Sequence, residues 1–198
     1  MENKHTHLVP EELEQLERLS LTGKHMKLQK SLDAFLFCCY AGMRYSDFTN
    51  LSKKNIVDIN QETWLIYKSV KTGTEVRLPL YLLFAGKGIV ILNKYRNNLE
   101  FFFRLRDNSN INKDLIIIAK LAGLSKKISF HTARHTNATL LIYNGVNITT
   151  VQKLLGHKSV KTTQVYTNIM DMTIVHDLEK MKQAALGIKK KTDNSFNK

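Results

Sequence analysis

Between Ala34 and Gly42 the chain runs Ala-Phe-Leu-Phe-Cys-Cys-Tyr-Ala-Gly, at the end of a helical pattern that starts near Met26. A helix apolar around most of its circumference must be enclosed by other elements. The segment therefore predicts a central core helix, with the rest of the chain folded around it. It falls well short of the roughly 18 apolar residues that read as a membrane-crossing helix, and no other run reaches that length. The start, MENKHTHLVPEEL, lacks the apolar region of a secretory signal. Cys38 and Cys39 are neighbours, so they cannot form an ordinary structural disulfide, and no other ligand stands near them. They read as small core residues.

Around that helix the periodicity changes twice. Pro10, Glu11 and Glu12 suit a helix start, and Leu13, Leu16 and Leu19 give a helical stripe to about Leu21, ended by Gly23. Gly42 interrupts the core helix, and Ser46-Asp47 is expected to cap a short helix running to Leu51. Residues 55–59, 63–69 and 74–80 are short, β-branched or aromatic, and separated by Asn60-Gln61 and Thr72-Gly73, which predicts a three-stranded antiparallel meander. Trp64 and Tyr67 fit strand positions on a partly buried sheet. Helical patterns return at 88–97, 112–122, 132–144, 149–155, 161–168 and 171–186, with Gly123, Gly145 and Gly156 at expected helix ends. The expected fold class is mainly α with a small three-stranded antiparallel β-sheet. Residues 1–186 are expected to form one domain, followed by a basic disordered tail at 187–198.

Charge narrows the partner. Thirty Lys and Arg oppose 17 Asp and Glu, a formal net charge of +13. Residues 1–60 hold eight basic and eight acidic side chains, so the whole excess lies in residues 61–198. Such asymmetry suits a polyanion bound along one side, with Lys and Arg displacing counterions from phosphate. A soluble basic protein without that role has the same signature. Neither a carboxylate cluster, nor metal-ligand spacing of His and Cys, nor a Gly-rich phosphate loop is present, so no metal or nucleotide cofactor is implied.

Four segments carry candidate chemistry: Ala41-Gly42-Met43-Arg44-Tyr45-Ser46-Asp47; Lys71 on a hairpin turn; His131-Thr132-Ala133-Arg134-His135-Thr136; and Leu154-Leu155-Gly156-His157 followed nine residues later by Tyr166. Each has an ordinary structural explanation alone. Arg44 suits a surface turn, Lys71 a hairpin tip and His157 a helix end, while His131 and Arg134 simply share a helix face.

In that order and spacing, AGMRYSD, Lys71, HTARHTNAT and LLGHKSVKTTQVY resemble the tyrosine recombinases, also called phage-type integrases. The likeness runs from about Leu8 to Leu186 and looks closest to bacterial mobile-element integrases, judging by FLFCCYAGMRYSDFTNL and VRLPLYLLF. It implies the catalytic-domain fold of that family and site-specific recombination of double-stranded DNA, without metal or ATP. Arg44 and Arg134 would clamp the non-bridging phosphate oxygens with permanently charged forks, joined by His131 and His157. Lys71 would protonate the departing 5′ oxygen, with Lys68 as its rival. Tyr166 would attack phosphorus to make a 3′-phosphotyrosyl link, and Asp47 would orient the basic residues. His135 reads as a helix or core partner. His5, His7, His25 and His176 have no supporting neighbours and read as solvated or structural.

The resemblance further implies a bacterial cytoplasmic, nucleoid-associated enzyme without a membrane partner. It implies assembly into a synaptic tetramer on DNA, with the amphipathic segment 171–186 docking either on a neighbouring protomer or on its own domain. The N-terminal core-binding domain usual in the family is expected to be absent. Two rival readings remain: DNA relaxation in the manner of a type IB topoisomerase, and a catalytically idle DNA-binding module.

Overall fold

The computed structural model describes residues 6–166 together with Leu178, Met181 and Lys182. The core is organised by α2 (Gln29–Ala41), in which every residue from Ser31 to Ala41 is buried. It packs against α7 (Phe130–Tyr143), α4 (Lys87–Lys94) and α6 (Asn108–Leu121). Beside it, α1 (Pro10–Glu17), α3 (Tyr45–Thr49) and α5 (Leu99–Phe103) close the main core. There Phe37, Phe48, Phe102, Phe103 and Phe130 meet edge-on or tilted, with ring centroids 5.2–6.2 Å apart. Each such ring contributes about 1.5–3 kcal/mol by leaving water. The one carboxylate on α2, Asp33, is buried but satisfied by Lys94 Nζ (2.9 Å) and the Tyr95 hydroxyl (2.7 Å), as a buried charge requires.

Strands β1 (Ile56–Ile59), β2 (Glu62–Lys68) and β3 (Glu75–Pro79) form an antiparallel sheet in the order β1-β2-β3. Asn60 and Gln61 both take positive φ, which the two-residue β1–β2 turn demands. Alternation along β2 sends Leu65, Tyr67 and then Ser69 inward and leaves Lys68 exposed on the other face, paired with Glu75. Helices α8 (Ile148–Leu155) and α9 (Val160–Gln164) complete the described chain. With α7 they enclose a second, smaller core of Ala138, Leu141, Val151, Leu155 and Tyr166. The seam between the two cores, along α7, is where the candidate site lies.

The fold class expected from the pattern is the one observed, and the three strands fall within a residue of the expected bounds. Cys38 and Cys39 are free and fully buried in α2. Several bounds differ: α2 begins at Gln29 rather than near Met26, α4 ends at Lys94 rather than at 97, and α6 begins at Asn108, four residues before its expected start. Arg44, not Ser46-Asp47, occupies the N-cap of α3, and Ser46-Asp47 form its first turn; Asp47 is occupied with tertiary hydrogen bonds instead. Helix α1 stops at Glu17, four residues early, and α5 was not anticipated. Its five residues are too short for a periodicity, and its start is fixed by Asn98, whose side chain accepts from the Phe101 N–H (2.9 Å). The expected helix 171–186 lies outside the described residues except Leu178, Met181 and Lys182, which are helical and exposed; the tail 187–198 lies wholly outside them.

Candidate active site

Two glycines set the frame. Helix α2 ends because Gly42 turns left-handed (φ 66), and α8 ends at Gly156 in the same way (φ 62). No other residue fits either place. A Cβ on Gly42 would stand 2.6 Å from Asn137 Oδ1, and one on Gly156 would stand 2.6 Å from Val76 Cγ2. Immediately past these caps come Met43-Arg44 and His157, so the two helix ends deliver two of the candidate side chains to one place.

Between the helix ends lies Arg134, on α7 and only 1% exposed. Its Nη1 donates to the Gly42 carbonyl (2.7 Å) and its Nη2 to the Leu155 carbonyl (2.6 Å). A buried guanidinium normally needs an anion. Here the negative ends of two helix dipoles partly serve, because both carbonyls belong to helix C-termini. Burial, and next the like charge of Arg44, still pull Arg134 down to about 10, so it stays cationic at neutral pH.

Arg44 is half-buried. Its Nη1 donates to Ser69 Oγ (3.2 Å) and lies 3.4 Å from Asp47 Oδ2. Asp47, 1% exposed, also accepts from the Val70 N–H (2.8 Å) and the Ser69 hydroxyl (3.3 Å). It thus ties Arg44 to the start of the β2–β3 hairpin. Across that hairpin, the Thr72 hydroxyl donates to the Gly156 carbonyl (3.1 Å). Lys71, exposed at the tip, is therefore one residue from a tether to the Gly156-His157 corner.

His157 is 8% exposed, with Nδ1 2.9 Å from Thr163 Oγ1. Burial first, then Arg134 and Arg44, depress its imidazole to about 4, so the ring is neutral at pH 7. Tyr166 follows α9, 6% exposed, packed in the smaller core. Burial raises its phenol, against the opposing pull of Arg134 and Arg44. The phenol is thus within electrostatic reach of both guanidiniums and keeps its proton at rest. His131 is exposed on the first turn of α7, its ring 4.4 Å from that of His135, which in turn lies 5.5 Å from the Tyr166 ring.

Arg44, Asp47, Arg134, His157 and Tyr166 thus converge at one seam, with Lys71 and His131 on its solvent side. His135 is a buried ring between His131 and Tyr166. His7 and His25 are half-buried elsewhere, while His5 and His176 lie outside the described residues. Sequence reasoning did not single out Ser69, Thr72, Asn137 or Thr163, whose partners lie across long sequence separations or on a turn. It gave no chemistry to Tyr67, whose buried hydroxyl has no hydrogen-bond partner among the described residues and lies within electrostatic reach of Asp47, Arg134 and Arg44. Among the described residues no three His, Cys, Asp or Glu side chains cluster so as to hold a metal ion, and no helix is long and apolar enough to cross a membrane.

A mostly helical domain with a three-stranded sheet, gathering two guanidiniums, an imidazole and a phenol at one seam, defines a narrow class. Residues 7–172 match the profile of the phage integrase family, and the chain belongs to that family. A tyrosine recombinase from Pseudothermotoga lettingae is 30% identical over 185 residues, which is 89% of this chain and 60% of that relative. The crystal structure of XerA recombinase superposes with a TM-score of 0.67 at 25% identity, over 89% of this chain and 65% of that one. A lambda integrase tetramer bound to a Holliday junction superposes with a TM-score of 0.64 at 20% identity, over 81% of this chain and 47% of that one, a likeness of fold.

Proposed function

We propose that the chain is the catalytic part of a tyrosine site-specific recombinase acting on double-stranded DNA. The observation that carries this reading is the meeting of Arg44, Arg134, His157 and Tyr166 where two capped helix ends converge. A phosphodiester placed there supplies the anion that Arg134 lacks and neutralises the repulsion between the two guanidiniums. Transition-state charge on the non-bridging oxygens is then met by two preorganised forks. His131 and His157 hydrogen-bond the same oxygens. The Tyr166 oxygen bonds to phosphorus as the P–O5′ bond breaks, the phenolic proton passing to one of the two imidazoles. Lys71 gives a proton to the leaving 5′ oxygen; Lys68 faces away from this seam, which favours Lys71. The 3′-phosphotyrosyl bond conserves the energy of the phosphodiester, and attack by a 5′-hydroxyl of the partner strand reverses the step.

The chain spans 60% of the first relative's length, and residues 1–186 are read as its catalytic domain. Synapsis as a tetramer, through 171–186, is part of the same proposal, supported by the tetrameric state of the lambda integrase neighbour. The solution mass on DNA should fall when residues 170–198 are removed; an unchanged mass contradicts that role. On this reading the protein works in the bacterial cytoplasm, at the nucleoid.

Incubation with nicked duplexes of randomised sequence tests the activity. A denaturant-resistant protein–DNA band is expected, and Tyr166→Phe should abolish it. No band under any condition would favour an idle binding module. Relaxation of supercoiled plasmid without recombinant products would favour a topoisomerase.

A further inference from the structure

One turn beyond Arg134 on α7 stands Asn137, 2% exposed. Its Nδ2 donates to two carbonyls at once, those of Cys39 (2.9 Å) and Tyr40 (3.0 Å). Both belong to the last turn of α2, where the helix has ended and no further helical N–H can take them. Two positions beyond Tyr40, the Gly42 carbonyl is taken by Arg134. Two α7 side chains at i and i+3 therefore claim three carbonyls at the end of α2, and Arg44 leaves that end two residues later. The amide oxygen of Asn137 presses on the same turn, 2.6 Å from where a Cβ on Gly42 would lie.

This clamp fixes the register between the helix that carries Arg134 and the turn that carries Arg44. The two guanidiniums repel each other, so something rigid must hold them at a common distance before a phosphate arrives. Asp47 secures Arg44 to the hairpin, which reaches Arg134 only indirectly, through Thr72, the Gly156 corner and the Leu155 carbonyl. We propose that Asn137 is a positioning residue: its amide locks the end of α2 onto α7 and thereby holds the Arg44 and Arg134 guanidiniums at phosphate-clamping distance. The proposal rests on the reading of those two arginines as phosphate ligands.

The test uses the full chain and randomised nicked duplexes, with single-turnover adduct formation at saturating DNA as the readout. Asn137→Ala removes both bonds. The expected rate loss is about a hundredfold, the scale of an ångström misplacement at a reacting centre, with DNA affinity little changed and the protein folded at the assay temperature. Combined with Arg134→Lys, which already forfeits the planar fork, the further loss from Asn137→Ala should shrink to less than about tenfold, because residues in one network are not additive. Asn137→Asp keeps the shape but sets a carboxylate against two carbonyls; relative to the unaltered chain its rate should recover as falling pH returns a donating proton. Should Asn137→Ala fail to fold, Asn137→Asp measured below its melting temperature decides. A rate loss that merely tracks the unfolded fraction, or full additivity with Arg134→Lys, overturns the positioning role. No adduct from the unaltered chain overturns the recombinase reading instead, whereas adduct at full rate in both Asn137 variants overturns only this inference.

Discussion

Gly156→Ala probes the corner on which the site is built. Two effects add. A side chain at φ 62 costs about 1–2 kcal/mol in the left-handed region. The new Cβ would also stand 2.6 Å from Val76 Cγ2, whereas carbon pairs rest at about 3.5–4.0 Å. Val76 is fully buried on β3 and its β-branched rotamer cannot swing aside, so the strand must retreat by about 1 Å. Overpacking of this kind costs about 1–3 kcal/mol. The total, about 2–5 kcal/mol, is a large part of the 5–15 kcal/mol that holds a typical domain together. At roughly 2–4 °C per kcal/mol for a chain of this size, thermal melts followed by circular dichroism should show a drop of about 4–20 °C. Gly123→Ala is the internal control. Gly123 is also left-handed (φ 76), but a Cβ there meets nothing within 4 Å, so only the conformational part, about 1–2 kcal/mol, should be lost. In a Val76→Ala background, Gly156→Ala should cost no more than Gly123→Ala does. Equal losses for Gly156→Ala and Gly123→Ala in the unaltered background would refute the packing argument, as would a Val76→Ala background that relieves nothing.

Three further outcomes follow from the same geometry. Native His157 titrates near 4 against an ordinary value of 6.5, so between those pH values the unfolded chain binds a proton that the native one refuses. Stability should be complete above about pH 6.5 and decline by at most about 3 kcal/mol as pH falls through that window; urea titrations should show the slope, and an equal slope in His157→Gln would exclude this origin. Asp47→Asn loses acceptor capacity toward Arg44 and Ser69 and should destabilise the fold by about 1–3 kcal/mol while slowing adduct formation; a neutral effect on both counts would show that Asp47 does not hold Arg44. Finally, Lys71→Ala should depress adduct formation far more than Lys68→Ala, and the reverse order would reassign the general acid.

What the sequence disclosed divides along physical lines. The core helix was legible because an apolar run with helical spacing has one stable destination. The sheet was legible because alternation and turn residues are local signals. Arg44, His131-x-x-Arg134, Gly156-His157 and Tyr166 were legible as a set through resemblance; spacing alone left each with an ordinary explanation. Hidden from any local signal were the contacts that draw the set together: Thr72 to Gly156 across 84 positions, Asn137 to Cys39 across 98, and Arg134 to both helix ends. Such bonds depend on where α2, α7 and α8 pack, which no local pattern records. The cap of α3 was misplaced for a related reason: Asp47 is a good N-cap type, yet its carboxylate forms tertiary bonds to the hairpin and to Arg44.

The decisive measurement is the chemical identity of the protein–DNA link. After trapping on a nicked duplex and exhaustive nuclease digestion, mass spectrometry of the tryptic peptide from Thr162 to Lys180 should show a nucleotide remnant esterified to the oxygen of Tyr166 through a 3′-phosphate. A remnant on another residue, a 5′-phosphate linkage, or an adduct that persists in Tyr166→Phe would contradict a phenolic nucleophile working between the Arg44 and Arg134 guanidiniums.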